Sequence, residues 1–434
     1  MSTTPDTAPR CALGPADINE YRRRFEAARE IMERNGLDAI VVGSGPPQVT
    51  SSSITVGSHG RFAAPRYHRY FSGFHIWGAE SFGPQPVVVL LPLQGEPALI
   101  TRAGTLRTWT RLGRAHTWID DVVGTYHDDP EWEQATQWGL ASSELPTDVA
   151  AVLADRGLEG SRVGLTGSWP GMEQTWAALP NVTVRPTLTM DGAGNPCDVL
   201  EPLLARNSPW EVDRLARAQA GADDAMRAFM DAAADGAPID HAVAEARHRA
   251  IRAGCEDTIL ELTSGLDEWA LWVYPAQPRE AEFRTGDLVT IGLMNSYDGY
   301  WIQMPRTWIV GGAQGAQQPV FDAARRSLDA MLALVGPGVT GGELWDAGLA
   351  PIAAAGMQPR GRLGHSVGFT GVTGPERFSI LPGNDVPMEE GLAFVLHPCV
   401  FDRASGAVVQ FGDTLVIDNG TARFLSPEPV EYEP

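Results

Sequence analysis

The run Gly286-Asp-Leu-Val-Thr-Ile-Gly-Leu-Met-Asn-Ser-Tyr-Asp-Gly-Tyr-Trp-Ile-Gln-Met-Pro-Arg-Thr307 constrains this chain more than any other segment. It reads as a hairpin. Gly292 and Gln303 stand within its two apolar halves. The 434 residues are enough for two domains.

Composition removes several answers. A formal net charge of -21 and a sequence pI near 4.8 disfavour nucleic acid or an anionic membrane as partner. All 33 basic residues are Arg and no Lys occurs, which excludes a Lys Schiff base, covalently held pyridoxal phosphate and a Lys general base. Cys11, Cys197, Cys255 and Cys399 are scattered, with neither metal-ligand spacing nor a disulfide framework. No apolar run reaches the roughly 18 residues of a membrane span. The polar start, Met1 to Pro15, lacks the apolar core of a secretory signal. We expect residues 1–14 to be disordered and the protein to be cytoplasmic.

Periodicity supplies the organisation. Tyr21, Phe25, Ala28, Ile31 and Met32 recur at helical spacing, and Asn35-Gly36 stops that helix. Leu37 to Gly43, Pro86 to Pro92, Pro97 to Thr101 and Arg162 to Thr166 read as strands, so residues 15–195 form an α/β domain. A second domain, residues 205–434, opens at Asn207-Ser-Pro-Trp-Glu211. Ser208 suits an N-cap, Pro209 the first helical position and Glu211 the first turn. Further helices are expected over His241 to Gly254, Pro319 to Leu334 and Gly342 to Ala355.

Together these motifs resemble the M24, or pita-bread, family: aminopeptidase P, prolidase, methionine aminopeptidase and creatinase. Tyr70-Phe-Ser-Gly-Phe74, after the helix and the Gly-Leu-Asp-Ala strand, is similar to the N-terminal domain of creatinase and aminopeptidase P. The resemblance covers almost the whole chain and is most specific over residues 286–413. It implies a creatinase-like α/β domain followed by a pita-bread domain, and a homodimer. In metal-dependent members it also implies two divalent ions held by two Asp, one His and two Glu. The matching positions here are Gly292, Gln303, His365 in Gly364-His-Ser-Val-Gly-Phe369, His397 in Gly391-Leu-Ala-Phe-Val-Leu-His-Pro398, and Gly412 in Val409-Gln-Phe-Gly-Asp-Thr414. All four carboxylates are gone. The family's two substrate-handling histidines fall on Pro275 and Val372, so a creatine hydrolase is not expected.

We therefore expect a metal-free and cofactor-free site. His365 and His397, on positions that share one cavity throughout the family, are the candidate acid/base pair. Trp272, Tyr274, Trp301, Gln303, Arg306 and Asp413 are the candidate substrate contacts, the aromatic ones suiting a flat ligand. Arg306-Thr307 also reads as a brace of the hairpin, and Trp269 as another nearby aromatic. His59, His68 and His75 are candidates to reach a neighbouring subunit's site. The expected activity is proton transfer at a C–N bond of a small amino-acid-derived substrate in specialised metabolism. It takes the form of creatinase-like hydrolysis or of Pictet–Spengler-like condensation and cyclisation. The alternatives are a catalytically dead binding or scaffold protein and an Xaa-Pro-type aminopeptidase with a rebuilt metal site.

Overall fold

The computed structural model describes residues 13–45, 67–74, 87–102, 117–125, 145–190, 196–264, 272–273, 281–312, 315, 317–369 and 378–426. The chain divides into two compact units, Met1–Leu203 and Leu204–Pro434. Residues 1–12, within the stretch expected to be disordered, lie outside the described residues. Among the described residues no helix is long and apolar enough to cross a membrane.

The first unit holds α1 (Pro15–Asn35), β1 (Ala39–Gly43), α2 (Tyr67–Ser72), β2 (Val87–Pro92), β3 (Ala98–Arg102), β4 (Asp121–Thr125), α3 (Leu145–Asp155), β5 (Arg162–Thr166), α4 (Met172–Ala178) and β6 (Thr183–Pro186). These strands form one sheet in the order β4-β3-β2-β1-β5-β6. β1 is an inner strand, antiparallel to β2 and parallel to β5, and all five of its residues are buried. That is why Ala39-Ile-Val-Val42 reads as a continuous apolar run rather than an alternating one. Gly36 ends α1 in the left-handed region (φ 60°), its N–H reaching the Glu33 and Met32 carbonyls. A ladder of β7 (Leu188–Met190) with β8 (Pro196–Asp198) and the short α5 (Glu201–Leu204) follow.

The second unit opens with α6 (Pro209–Ala232). Ser208 Oγ accepts the Glu211 N–H at 3.2 Å, and the Glu211 carboxylate accepts the Ser208 N–H at 2.8 Å. This reciprocal cap satisfies two otherwise orphaned donors. Glu211 also accepts the Tyr300 hydroxyl at 2.8 Å, tying the helix start to the hairpin. Then come α7 (Ile239–Arg252), β9 (Asp257–Ser264), β10 (Trp272–Val273), β11 (Leu288–Tyr297), β12 (Tyr300–Ile309), α8 (Gln318–Leu332) and α9 (Gly341–Ala354). The closing strands are β13 (Gln358–Pro359), β14 (Gly364–Ser366), β15 (Ala393–Leu396), β16 (Cys399–Phe401), β17 (Val408–Gln410), β18 (Asp413–Asp418) and β19 (Thr421–Phe424). Three sheets result, ordered β10-β9-β11-β12, β14-β15-β18-β19 and β13-β16-β17. Val320, Phe321, Ala324, Leu328 and Met331 of α8 pack into a core with Phe394, Leu396, Val409, Phe411 and Leu415 of the closing strands.

The hairpin β11–β12 is regular over ten pairs, Leu288↔Ile309 to Tyr297↔Tyr300. Its turn residues Asp298 (φ 52°) and Gly299 (φ 85°) are both left-handed, the two-residue connection that matches strand twist. Pro305 is tolerated inside β12 because β12 is the edge of its sheet and needs no N–H there.

Candidate active site

Strand alternation decides which hairpin side chains meet. Thr290, Gly292 and Met294 pair with Thr307, Pro305 and Gln303, so these share one face with Trp301. Thr290 Oγ1 lies 3.1 Å from Thr307 Oγ1 and 3.3 Å from the Val408 carbonyl, so this face looks onto β17. Thr414 Oγ1 accepts the Gln303 N–H at 3.2 Å and donates to the Gln303 carbonyl at 2.9 Å, fixing the backbone that carries Gln303.

Gln303 meets His365 there. His365 Nε2 lies 2.9 Å from Gln303 Oε1, and its Nδ1 lies 2.9 Å from the Ser366 carbonyl. The His365 and His397 rings pack edge to face with centroids 5.0 Å apart. Gln410 Nε2 lies 3.1 Å from His397 Nδ1, and Thr307 pins Gln410 through both its N–H and its carbonyl. An amide nitrogen only donates, so His397 Nδ1 accepts and the proton sits on Nε2. That Nε2–H is buried and has no hydrogen-bond partner among the described residues. Both rings are nearly inaccessible, at 1% and 5% relative exposure. Burial, then the Arg362 charge, pushes His397 down to about 3. Burial likewise holds His365 well below its ordinary value, with Arg362 and His397 adding to it. Both imidazoles are therefore neutral at pH 7.

This has a consequence for stability. A folded value below the unfolded one means the unfolded chain binds more protons between them. The contribution of neutral His397 is thus fully present above pH 6.5 and is lost as pH falls toward 3. We expect urea midpoints to drop between pH 7 and pH 5, and His397→Gln to reduce that drop. An unchanged pH dependence in the variant would contradict the assignment.

Arg306 and Asp413 do not join this face. Arg306 alternates with Gln303 and lies on the helix-facing side, as does Met304, whose sulfur receives a contact from Gln219 of α6 at 3.6 Å. Arg306 Nη2 donates to Asp413 Oδ1 at 2.8 Å, and Arg306 also donates to the Pro305 and Gly412 carbonyls. The pair braces β12 against β18. Their grouping with Gln303 as substrate contacts is corrected on this point, because period-2 alternation turns neighbouring side chains to opposite faces. Trp301 does share the Gln303 face and is 5% exposed. Trp272 pairs with Leu262 through its backbone. Tyr274, Pro275, Trp269, Val372, His59 and His75 lie outside the described residues, and His68 lies on α2 in the first unit.

The sequence reading missed Glu261 and Gln410. Glu261 pairs directly with Gly292 across β9–β11, and its Oε2 stands 3.4 Å from where a Cβ on Gly292 would be. Its signal was available: a single carboxylate within the apolar run Ile259-Leu260-Glu261-Leu262.

Residues 213–419 match the model of metallopeptidase family M24, and residues 24–189 match the creatinase/prolidase N-terminal domain. The chain belongs to the M24, pita-bread, superfamily. This M24 chain superposes on the prolidase from Pyrococcus horikoshii OT3 with a TM-score of 0.68 at 18% identity, covering 94% of this chain and 99% of that one. It is 31% identical over 117 residues to an Xaa-Pro dipeptidase of Lactobacillus helveticus, 26% of this chain and 31% of that protein. It is also 31% identical over 110 residues to the agropine synthesis cyclase of Rhizobium rhizogenes, 25% of this chain and 27% of that protein. The matches thus span about a third or less of these two relatives.

The paired-metal centre of the metal-dependent members does not fit the residues present. The five positions supply two imidazoles and one neutral amide. At Gly412 a Cβ would stand 1.6 Å from the Leu396 carbonyl oxygen, so no side chain fits on this backbone. Among the described residues no group of three or more His, Cys, Asp or Glu is placed to hold a metal ion.

Proposed function

We propose that this M24 protein is a metal-independent enzyme that moves protons at a C–N bond of a small amino-acid-derived substrate. The single observation that carries the reading is the complementary histidine pair. Ser366 O and Gln303 Oε1 both accept, and a neutral ring has one proton; the Ser366 carbonyl is fixed backbone while an amide can turn to present its NH2, so we assign the His365 proton to Nδ1 and the lone pair to Nε2. His397 presents the opposite, an unpartnered Nε2–H. One ring accepts and the other donates, side by side and shielded from water. A neutral imidazole N–H polarises a carbonyl or imine-derived acceptor without itself ionising.

His365, held well below its ordinary value, is a weak base. It suits taking a proton from an already acidic N–H or C–H, such as that beside an iminium, better than activating water. Condensation with cyclisation is therefore favoured over creatinase-like hydrolysis. The partial likeness to a protein named as a cyclase supports the same choice. Trp301, on the Gln303 face, suits an aromatic substrate. The Xaa-Pro dipeptidase reading draws on the names of relatives, yet it needs ligands that the five positions lack.

The test is elemental analysis of protein purified without chelator or His-tag, followed by a mass-spectrometric screen of small amines with aldehydes and of amino-acid amides. Turnover is expected to survive exhaustive chelation. His365→Ala is expected to reduce it by roughly a hundredfold or more, the range of general acid–base contributions. Stoichiometric metal with chelator-sensitive cleavage of Xaa-Pro peptides would establish the peptidase instead. Full turnover in both His365→Ala and His397→Ala would remove the acid/base assignment. A protein partner captured without any turnover would favour the scaffold.

A further inference from the structure

His397 sits between β15 and β16, and one neighbouring side chain holds both its ring and its carbonyl. The His397 N–H donates to the Leu363 carbonyl at 2.9 Å, which fixes the backbone. Gln410 fixes the rest. Its Nε2 lies 3.1 Å from His397 Nδ1 and 3.5 Å from the His397 carbonyl oxygen. A carbonyl oxygen only accepts, so the amide presents its nitrogen at this end. Its two N–H groups span the ring and the carbonyl of a single residue, and rotation of the ring would break the first contact.

Gln410 is itself held on two sides. It pairs with Cys399 across β16–β17. From β12, Thr307 accepts the Gln410 N–H at 3.0 Å and donates its hydroxyl to the Gln410 carbonyl at 2.9 Å. Gln410, Thr307 and His397 are all buried, away from competing water. The chemical type of residue 410 therefore matters more than its volume. An amide nitrogen gives a proton to Nδ1 and leaves the ring proton on Nε2. A carboxylate of the same length only accepts, and it would draw the ring proton to Nδ1 and leave a lone pair on Nε2.

We infer that Gln410 is the positioning residue that makes His397 a proton donor: its amide, pinned by Thr307, keeps the His397 proton on Nε2, the nitrogen with no partner among the described residues. Gln410 acts only through His397. The inference deepens the proposed function and rests on it for the use made of that proton. The complementarity of the two histidines then depends on a third residue. With glutamate at 410, both rings keep a lone pair on Nε2, and His397 no longer donates from it.

Heteronuclear NMR of protein isotopically labelled at its histidine nitrogens reads the tautomer with no ligand present. The His397 ring, one of nine, is assigned by its loss in His397→Gln. The wild type is expected to show a protonated Nε2 and an Nδ1 shifted as a hydrogen-bonded lone pair. Gln410→Glu is expected to place a proton on Nδ1. Gln410→Met keeps the length, removes the donor and serves if Gln410→Glu does not fold. In it Nε2 stays protonated, as an unconstrained imidazole prefers, but Nδ1 is expected at the shift of a free lone pair. A wild-type ring protonated on Nδ1, a Gln410→Glu ring with no proton there, or an Nδ1 shift unchanged in Gln410→Met overturns the inference. Turnover is the separate readout, on a substrate found by the screen of amines with aldehydes and of amino-acid amides. Gln410→Glu is expected to lower kcat roughly a thousandfold or more, the scale on which a wrong imidazole tautomer disables a catalytic histidine. KM should change little, because the shape is kept. A reversed tautomer with full turnover upholds the positioning and removes His397 from the proposed chemistry. Loss of turnover in His397→Ala with no reversal in Gln410→Glu keeps that chemistry and refutes the positioning.

Discussion

Arg306→Met is expected to destabilise the protein by about 3–5 kcal/mol, because it leaves the Asp413 carboxylate buried without its cation. Arg306 is fully buried and Asp413 is 1% exposed. Arg306 also donates to the Pro305 and Gly412 carbonyls, so its loss removes both of those hydrogen bonds as well. Asp413 then faces a second buried carboxylate, Asp223, whose own value is raised first by burial and, less strongly, by the Asp413 charge. The check is a double-mutant cycle in urea. Arg306→Met/Asp413→Leu is expected to recover much of the loss, since an apolar pair of similar volume often replaces a buried ion pair at little cost. Equal midpoints for wild type and Arg306→Met would show that the brace carries no stability.

The second large effect is expected at Gly412. Restoring the family's carboxylate there by Gly412→Glu is an obvious attempt to rebuild a metal ligand, and it should fail by unfolding the protein. The added Cβ would stand 1.6 Å from the Leu396 carbonyl oxygen and 3.1 Å from His397 Cα. Both are backbone, so no side-chain rotation relieves the overlap. Gly412→Ala should show the same penalty, about 4 kcal/mol or more, since overlap with backbone belongs to the small set of severe mechanisms. Circular dichroism melts of the two variants decide it. A Gly412→Glu protein that melts like wild type and takes up metal would restore the peptidase reading. Gly292→Ala provides the contrast, because its Cβ meets only side-chain atoms, none closer than 3.4 Å.

Much of the architecture was legible in the chain. The capping residues Ser208 and Glu211, the stop at Gly36 and the Asp298-Gly299 turn act within a few residues of themselves, so their signals are local. The apolar runs of β1 and β2 are buried because they lie inside a sheet, and their composition records that burial. The family frame likewise survives as short motifs, which is why His365 and His397 were found and are brought together at 5.0 Å.

What the linear chain determined on its own is therefore the main helices, several strands of the first unit, the family and the loss of the four carboxylates, all carried by local pattern. Three things were left to the tertiary structure. Alternation along β12 sent Arg306 away from Gln303, and its pairing with Asp413 spans 107 residues. The carbonyl of Leu396 filled the space above Gly412, an exclusion that appears only once β15 and β18 pair. Glu261 came to lie beside Gly292 through the β9–β11 register, 31 residues apart in sequence. Each is a contact between segments distant along the chain, and no local propensity encodes the register that brings them together.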